Sequence, residues 1–349
     1  MSSPDRLVSP LADSGDVAET SPALRPTRLD EFVGQAQLKA RLSIAIEAAK
    51  GRTEPMEHLL LHGPPGLGKT TIAHIVAEEM GTRAYVTSGP ALTKGADLVG
   101  TLTRMQPGDV LLIDEIHRLP AAVEEYIYPA MEDFKIDFTL DGGMHARVVT
   151  YRLKPFTLIG ATTRAGLLTA ALRSRFGIAH RLEFYSTEEL GQILTRAAKQ
   201  LDLQFAEDEA RQLIAARSRG TPRICLRLLR RVRDFAEVRG GGPITVEAAS
   251  EALALEGVDA QGLDPLDRAY IRVLADVYDN GPAGLEAIAA TLGEDAGTLE
   301  DVVEPFLLQI GLLARTRQGR RLTSAITEMD GTNPAGPLFE ESGPSTSDS

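Results

Sequence analysis

Between residues 24 and 183 the chain alternates short, nearly continuous apolar runs with stretches of helical period. Apolar runs without alternation belong to strands covered on both faces, so a mostly parallel sheet with helices on both sides is expected. Three runs stand out: His58-Leu59-Leu60-Leu61-His62, Asp109-Val110-Leu111-Leu112-Ile113-Asp114 and Phe156-Thr157-Leu158-Ile159-Gly160. Each ends in polar residues where the chain turns. Open α/β sheets bind ligands at the carboxyl ends of their strands, so three chemically loaded ends predict one shared site. From 186 to 256 the period is helical throughout. Ser186-Thr187-Glu188-Glu189 reads as a helix start with acids in the first turn, and Thr221-Pro222-Arg223 as another, Thr221 capping and Pro222 at the first position. A third unit runs over about 263–323. Asp264-Pro265 opens one helix, 284–292 and 298–310 give two more, and two short strands follow around Gly319 with arginines at their tip. Three helices and a hairpin are the order of a winged helix.

Length and composition fit this plan. A chain of 349 residues suits two or three domains, and a hydrophobic fraction of 43% fills their cores. The expected division is a disordered leader 1–20, a large nucleotide domain 21–185, a small helical lid 186–256, a winged-helix head 259–327 and a disordered tail 328–349. No run approaches the ~20 apolar residues of a membrane span, and residues 1–20 are not of signal-peptide type. The lone cysteine, Cys225, cannot form an intramolecular disulfide, and a reducing cytoplasm is the expected setting. The net charge of -12 excludes a histone-like coat of phosphate-binding charge. Any DNA contact must therefore come from a local basic element, or from several subunits pooling small ones.

Gly63-Pro64-Pro65-Gly66-Leu67-Gly68-Lys69-Thr70 matches G-x-x-x-x-G-K-[ST] and lies between a strand and a helix. Its glycines let backbone N–H groups wrap phosphates at a helix N-terminus, so Gly66, Gly68, Lys69, Thr70 and Thr71 are expected to hold ATP. Lys69 reaches the β- and γ-phosphates, and the Thr70 hydroxyl ligates Mg²⁺. Leu111-Leu112-Ile113-Asp114-Glu115 supplies the companion carboxylates: Asp114 for Mg²⁺, Glu115 to orient or deprotonate the attacking water. His117, next door, is read as structural. Thr162 and Thr163 end the third strand with hydroxyls that can sense a γ-phosphate. Arg173 and Arg175 offer guanidinium forks for transition-state charge or, equally, surface ion pairs. Arg223 can reach a nucleotide from the lid side.

Together these segments resemble the RuvB family of AAA+ motors. The P-loop and the acid pair by themselves mark AAA+. The narrower Ile127-Tyr128-Pro129-Ala130-Met131-Glu132-Asp133 and Gly160-Ala161-Thr162-Thr163-Arg164-Ala165-Gly166 mark the family. The resemblance implies a homohexameric ring that hydrolyses ATP with Mg²⁺ to pump double-stranded DNA. It drives branch migration of Holliday junctions in recombination, repair and the SOS response, with RuvA and, for resolution, RuvC. It further implies that Leu24 and Arg25 border the adenine, and that Glu132, Asp133 and Phe134 contribute to the nucleotide pocket. Arg175 would complete a neighbouring subunit's site with Arg173 as helper, and Tyr185 and Arg223 would contact nucleotide near the hinge. A hairpin from Lys135 through Leu153 would dock RuvA by Phe138, Leu140 and Met144, and the wing arginines Arg315 and Arg320 would bind DNA phosphates. Ala296 stands where the family has another basic DNA contact, and Ser174 where it has an acid. Clamp or helicase loaders share the P-loop and Glu115 without these narrow motifs. A nucleotide-switched winged-helix regulator would have little use for Glu115.

Overall fold

The structure, a computed structural model, describes residues 24–140 and 147–325; the expected leader and tail lie outside them. Two compact units divide between Tyr185 and Ser186. No helix among the described residues is long and apolar enough to cross a membrane.

The first unit starts with α1 (Ala36–Arg52), β1 (Leu59–His62) and α2 (Lys69–Met80). Next come β2 (Ala84–Ser88), α3 (Gly95–Leu102), β3 (Val110–Asp114) and α4 (Ala121–Glu132). The hairpin β4 (Lys135–Leu140) and β5 (Arg147–Arg152) follows, then β6 (Thr157–Thr162), α5 (Ala170–Arg173) and β7 (Ile178–Arg181). Five strands form one sheet in the order β2-β3-β6-β1-β7, every pair parallel. The three apolar runs are its centre. Val110 to Ile113 are fully buried, as are all six residues of β6, whereas the edge strands β2 and β7 are half-exposed. The register sets Ile113 against Gly160 and His62 against Thr162, so the ends of β3, β6 and β1 come out side by side. β4 and β5 form their own two-stranded antiparallel sheet, with Val149 and Tyr151 43% and 45% exposed. Residues 141–146, Met144 among them, lie outside the described residues, as do the side chains of Phe138 and Leu140.

The second unit opens with α6 (Thr187–Gln200), α7 (Asp208–Ala216), α8 (Pro222–Phe235) and α9 (Val246–Leu255). Ser186 caps α6 as expected, its hydroxyl accepting from the Glu189 N–H while the Glu189 carboxylate accepts from the Ser186 N–H. Thr221 holds the cap position of α8 without capping it: the hydroxyl donates to Arg219 O at 2.9 Å, drawn back by the left-handed turn at Arg219 and Gly220. On the inner face of α8, Cys225 is fully buried, and burial pushes its thiol up to about 12.

The winged-helix part comprises α10 (Pro265–Arg272), α11 (Leu285–Leu292) and α12 (Ala296–Thr298), the last continuing through a π turn into α13 (Glu304–Gln309). β8 (Leu313–Thr316) and β9 (Gly319–Leu322) pair antiparallel, and Ala283 adds a single bridge to Arg320. Arg219 ties helical part to head. Its Nε donates to Gly262 O, and its guanidinium pairs with Asp264 at 2.7 Å and with the fully buried Asp267. Burial pushes the Asp267 carboxyl up to about 7, against the pull of Arg219.

Candidate nucleotide site

The loop between β1 and α2 is shaped by backbone that glycine alone adopts easily. Gly63, Gly66 and Gly68 have φ of 143°, 79° and 99°. A Cβ at Gly63 would lie 2.7 Å from Leu182 O. Gly68 faces the ring of Phe32 and the hydroxyl of Tyr185, and that hydroxyl donates to Leu67 O at 3.2 Å. Phe32 is 5% exposed. The motif reading passed over this ring, because nothing in local spacing distinguishes a wall of the loop from any core aromatic. Arg25 lies close enough to α2 for its charge to reinforce burial in depressing the His74 pKa. Leu24 is buried.

Lys69 is buried and donates from Nζ to Gly63 O (2.8 Å) and Pro64 O (2.9 Å). Burial pulls its ammonium below the usual lysine range, opposed by the negative charges of Asp114 and Glu115. Three charges therefore converge from two elements. Asp114 Oδ1 accepts the Glu115 N–H at 2.9 Å. Glu115 sits at φ 47°, a left-handed conformation that a non-glycine residue holds only when its surroundings impose it. The close passage of residue 89 helps impose it, since a Cβ at Gly89 would be 2.4 Å from Glu115 O. Thr70 stands second in α2.

Thr162, the last residue of β6, and Thr163, the next, separate. Thr162, expected to sense the γ-phosphate, is fully buried; its hydroxyl accepts from the Arg164 N–H and lies 2.8 Å from His117 Nδ1. Thr163, in the bend just past the strand, is half-buried, and its hydroxyl donates to Glu115 Oε2 at 3.5 Å. The hydroxyl beside the acid pair is therefore that of Thr163. His117 departs from its purely structural reading, for Nδ1 also lies 3.2 Å from Glu115 Oε2.

The remaining expected residues gather at a different edge. Arg175 pairs with Glu132 at 3.0 Å, donates to Ala171 O at 2.6 Å, and lies 4.3 Å from the centre of the Tyr128 ring. Asp133 pairs with Lys135, and Phe134 stacks edge-on to His58 and Phe156. Of these three only Glu132 meets Arg175; Asp133 turns to Lys135, and Phe134 packs on His58 and Phe156. Arg173, an exposed residue, donates to Ala165 O and Leu168 O and so braces the turn after β6. Gly160 lets Phe176 press on β6, where a Cβ would come 2.9 Å from its ring. In the second unit, Arg223 is the second residue of α8.

Arg315 and Arg320 are not loose at the wing tip. Arg315 Nε donates to Glu304 Oε2 at 2.6 Å and Arg320 Nε to Oε1 at 2.9 Å. Glu304 is fully buried and also accepts from the Tyr270 hydroxyl at 2.8 Å. The exposed wing cations are Arg317 and Arg321, with Arg315 partly so.

Among the described residues, no cluster of three or more His, Cys, Asp or Glu side chains forms a metal cage. Mg²⁺ does not need one, because it takes one or two protein ligands and fills its octahedron with phosphate oxygens and water. Asp114 at a strand end and Thr70 at the start of α2 are a donor set of that kind.

Comparison with known proteins agrees with this geometry along the whole described chain. Residues 24–182 match the model of the Holliday junction DNA helicase RuvB P-loop domain, 185–259 the RuvB AAA lid domain, and 260–329 the RuvB C-terminal winged helix domain. The Holliday junction branch migration complex subunit RuvB of Desulfosudis oleivorans is 57% identical over 303 residues, 87% of this chain and 88% of that protein. Its counterpart in Kosmotoga olearia is 52% identical over 342 residues, 97% and 99%. The solved structure of the Thermotoga maritima RuvB Holliday junction branch migration motor superposes with a TM-score of 0.80 at 49% identity, covering 88% of this chain and 98% of that one. A P-loop sheet whose acid pair, lysine and threonine meet at adjacent strand ends, followed by a lid and a winged helix, thus has the same order and extent as these proteins: the chain belongs to the RuvB family.

Proposed function

We propose that the chain is an ATP-hydrolysing DNA translocase that assembles as a homohexamer and drives branch migration of Holliday junctions. The observation that carries this reading is the meeting of Lys69, Asp114 and Glu115, with Glu115 held at φ 47° beside Thr163. A carboxylate placed past the metal ligand serves hydrolysis rather than mere binding.

The residues divide the work. Loop N–H groups and the N-terminus of α2 receive the phosphates, and Lys69 turns its ammonium from the loop carbonyls to the more basic phosphate oxygens. When bound at Thr70 and Asp114, Mg²⁺ neutralises charge on the β- and γ-phosphates. Glu115 accepts a proton from the attacking water as its oxygen bonds to the γ-phosphorus and the bond to the ADP oxygen breaks. Thr163 orients the γ-phosphate beside it. Arg175, with Glu132, Asp133 and Tyr128 around it, is supplied to the site of a neighbouring subunit and stabilises the equatorial oxygens. Arg223 reads the nucleotide from the lid, and Leu24, Arg25 and Tyr185 line its base side. The wing follows the DNA backbone through Arg315 and Arg320, and exposed Val149 and Tyr151 make the β4–β5 hairpin a docking element for RuvA, with RuvC joining for resolution. A cytoplasmic setting suits the free thiol of Cys225.

The test is migration of a synthetic four-way junction with and without RuvA. Wild type is expected to migrate it with phosphate release, and Lys69→Ala and Glu115→Gln to lose both by at least ~100-fold. Wild-type turnover in Glu115→Gln would overturn the site assignment.

A further inference from the structure

His117 stands between the last buried residue of β6 and the acid at the end of β3, and its ring nitrogen meets both. Nδ1 is 2.8 Å from Thr162 Oγ1 and 3.2 Å from Glu115 Oε2, and the imidazole is 7% exposed. The hydrogens follow from the acceptors. A carboxylate oxygen has no proton to give, so a bare Nδ1 lone pair at that distance would repel it. The Thr162 hydroxyl accepts the Arg164 N–H and keeps a second lone pair for a proton from Nδ1. The tautomer this arrangement supports has its proton on Nδ1, shared between Glu115 Oε2 and Thr162 Oγ1.

We propose that His117 is the positioning residue for Glu115: its Nδ1–H fixes Oε2, and Thr162 fixes His117. This rests on Glu115 being the group that orients the attacking water. His117 itself keeps its proton and touches no substrate. Three features make the role specific. The Glu115 backbone is strained, so the side chain needs a second restraint to hold one direction. Thr163 donates to the same Oε2 at 3.5 Å, so two donors restrain the position of that oxygen. Thr162 belongs to the same strand end as Thr163, so a shift of β6 on meeting a γ-phosphate moves the imidazole and with it the aim of the base. The fully buried Thr162 thereby gains a function: it anchors the bracket while Thr163 meets the phosphate.

The experiment uses the side-chain amides as nitrogen probes. The Asn amide nitrogen falls near the place of Nδ1, and that of Gln near the place of Nε2. His117→Ala, His117→Asn and His117→Gln are assayed in the full chain for ATP affinity and for steady-state ATPase with DNA. His117→Ala is expected to lower kcat ~10- to 100-fold, the usual effect of losing a residue that orients a reacting group, with KM for ATP within about threefold. His117→Asn is expected to recover to within about fivefold of wild type, and His117→Gln to remain near the alanine level. In a Glu115→Gln background, His117→Ala should cause no further loss, because the two act in series. Glu115→Gln alone separates the two claims. If it hydrolyses normally, the reading of the site fails. If it is inactive while His117→Ala turns over like wild type, or Gln restores activity as well as Asn does, the positioning role of His117 is overturned. If His117→Ala does not fold, the Asn–Gln contrast decides by itself.

Discussion

A buried carboxylate shared by two guanidiniums shows how far a single side chain can govern a surface. Glu304 is fully buried and accepts from Arg315, Arg320 and Tyr270 at once. Losing its charge leaves the two guanidiniums only the more distant Glu300 carboxylate, 4.0 Å from Arg315 and 3.7 Å from Arg320. Breaking a fully buried pair costs ~3–5 kcal/mol; Arg315 and Arg320 reach water in part, so about 2–3 kcal/mol is expected for Glu304→Gln. Denaturant unfolding followed by a probe in the head checks this, and a loss under 0.5 kcal/mol would be too small for the role described. The winged helix was legible in the sequence, but the buried acid that holds its arginines was not. A run rich in Arg announces charge, but the acid that neutralises it sits on α13, eleven residues before Arg315, and carries no mark of being buried. The contact between Thr162, which was expected at the γ-phosphate, and His117, which was read as structural, stayed hidden for the same reason. Motif spacing finds groups that face a ligand, whereas the partners that hold those groups are set by packing between strands far apart in the chain.

At the scale of elements, legibility followed burial. β1, β3 and β6 were readable because central strands of a parallel sheet are apolar on both faces. β2 and β7, the edges, were missed: Ala-Tyr-Val-Thr-Ser and Ile-Ala-His-Arg are short and half-exposed, and such mixtures resemble loops. The lid helix α6 was readable from its capping box, and α8 from its proline, although Thr221 spends its hydroxyl elsewhere. The start of α10 carries a pH dependence of its own. Asp267 has an ordinary value of 3.8 and a folded one of about 7. Between about pH 4 and 7 the folded chain keeps a proton that the unfolded chain has released, so this group favours folding below that window and ceases to do so as pH rises through it. Asp267→Asn keeps an oxygen to accept the Asp264 N–H and has no such titration. The melting temperature of wild type minus that of Asp267→Asn should therefore fall between pH 5 and pH 8; a difference that is flat or rises with pH contradicts the raised value.

At the scale of the whole molecule, the acidic balance and the DNA-facing role are compatible only if few cations meet the phosphates at each subunit. With a net charge of -12, the chain presents its wing arginines on a surface that otherwise repels a polyanion. The proposed sharing of Arg175 between subunits makes assembly measurable. Arg175→Ala subunits keep Glu115, and Glu115→Gln subunits keep Arg175; each alone should be inactive. Mixed at equal concentration, they create competent junctions at roughly a quarter of the interfaces of a randomly filled ring, so up to that share of wild-type ATPase should return. Hybrids that form and stay silent at every ratio would mean that the finger does not act across subunits. The core of α8 has a practical corollary for such experiments. With its thiol near 12, Cys225 is ionised to only about one part in ten thousand at pH 8, and it is sealed from reagents besides. The chain is in effect a cysteine-free background, where one thiol engineered on the wing would take a dye while the native one stays dark until the lid core itself breathes open.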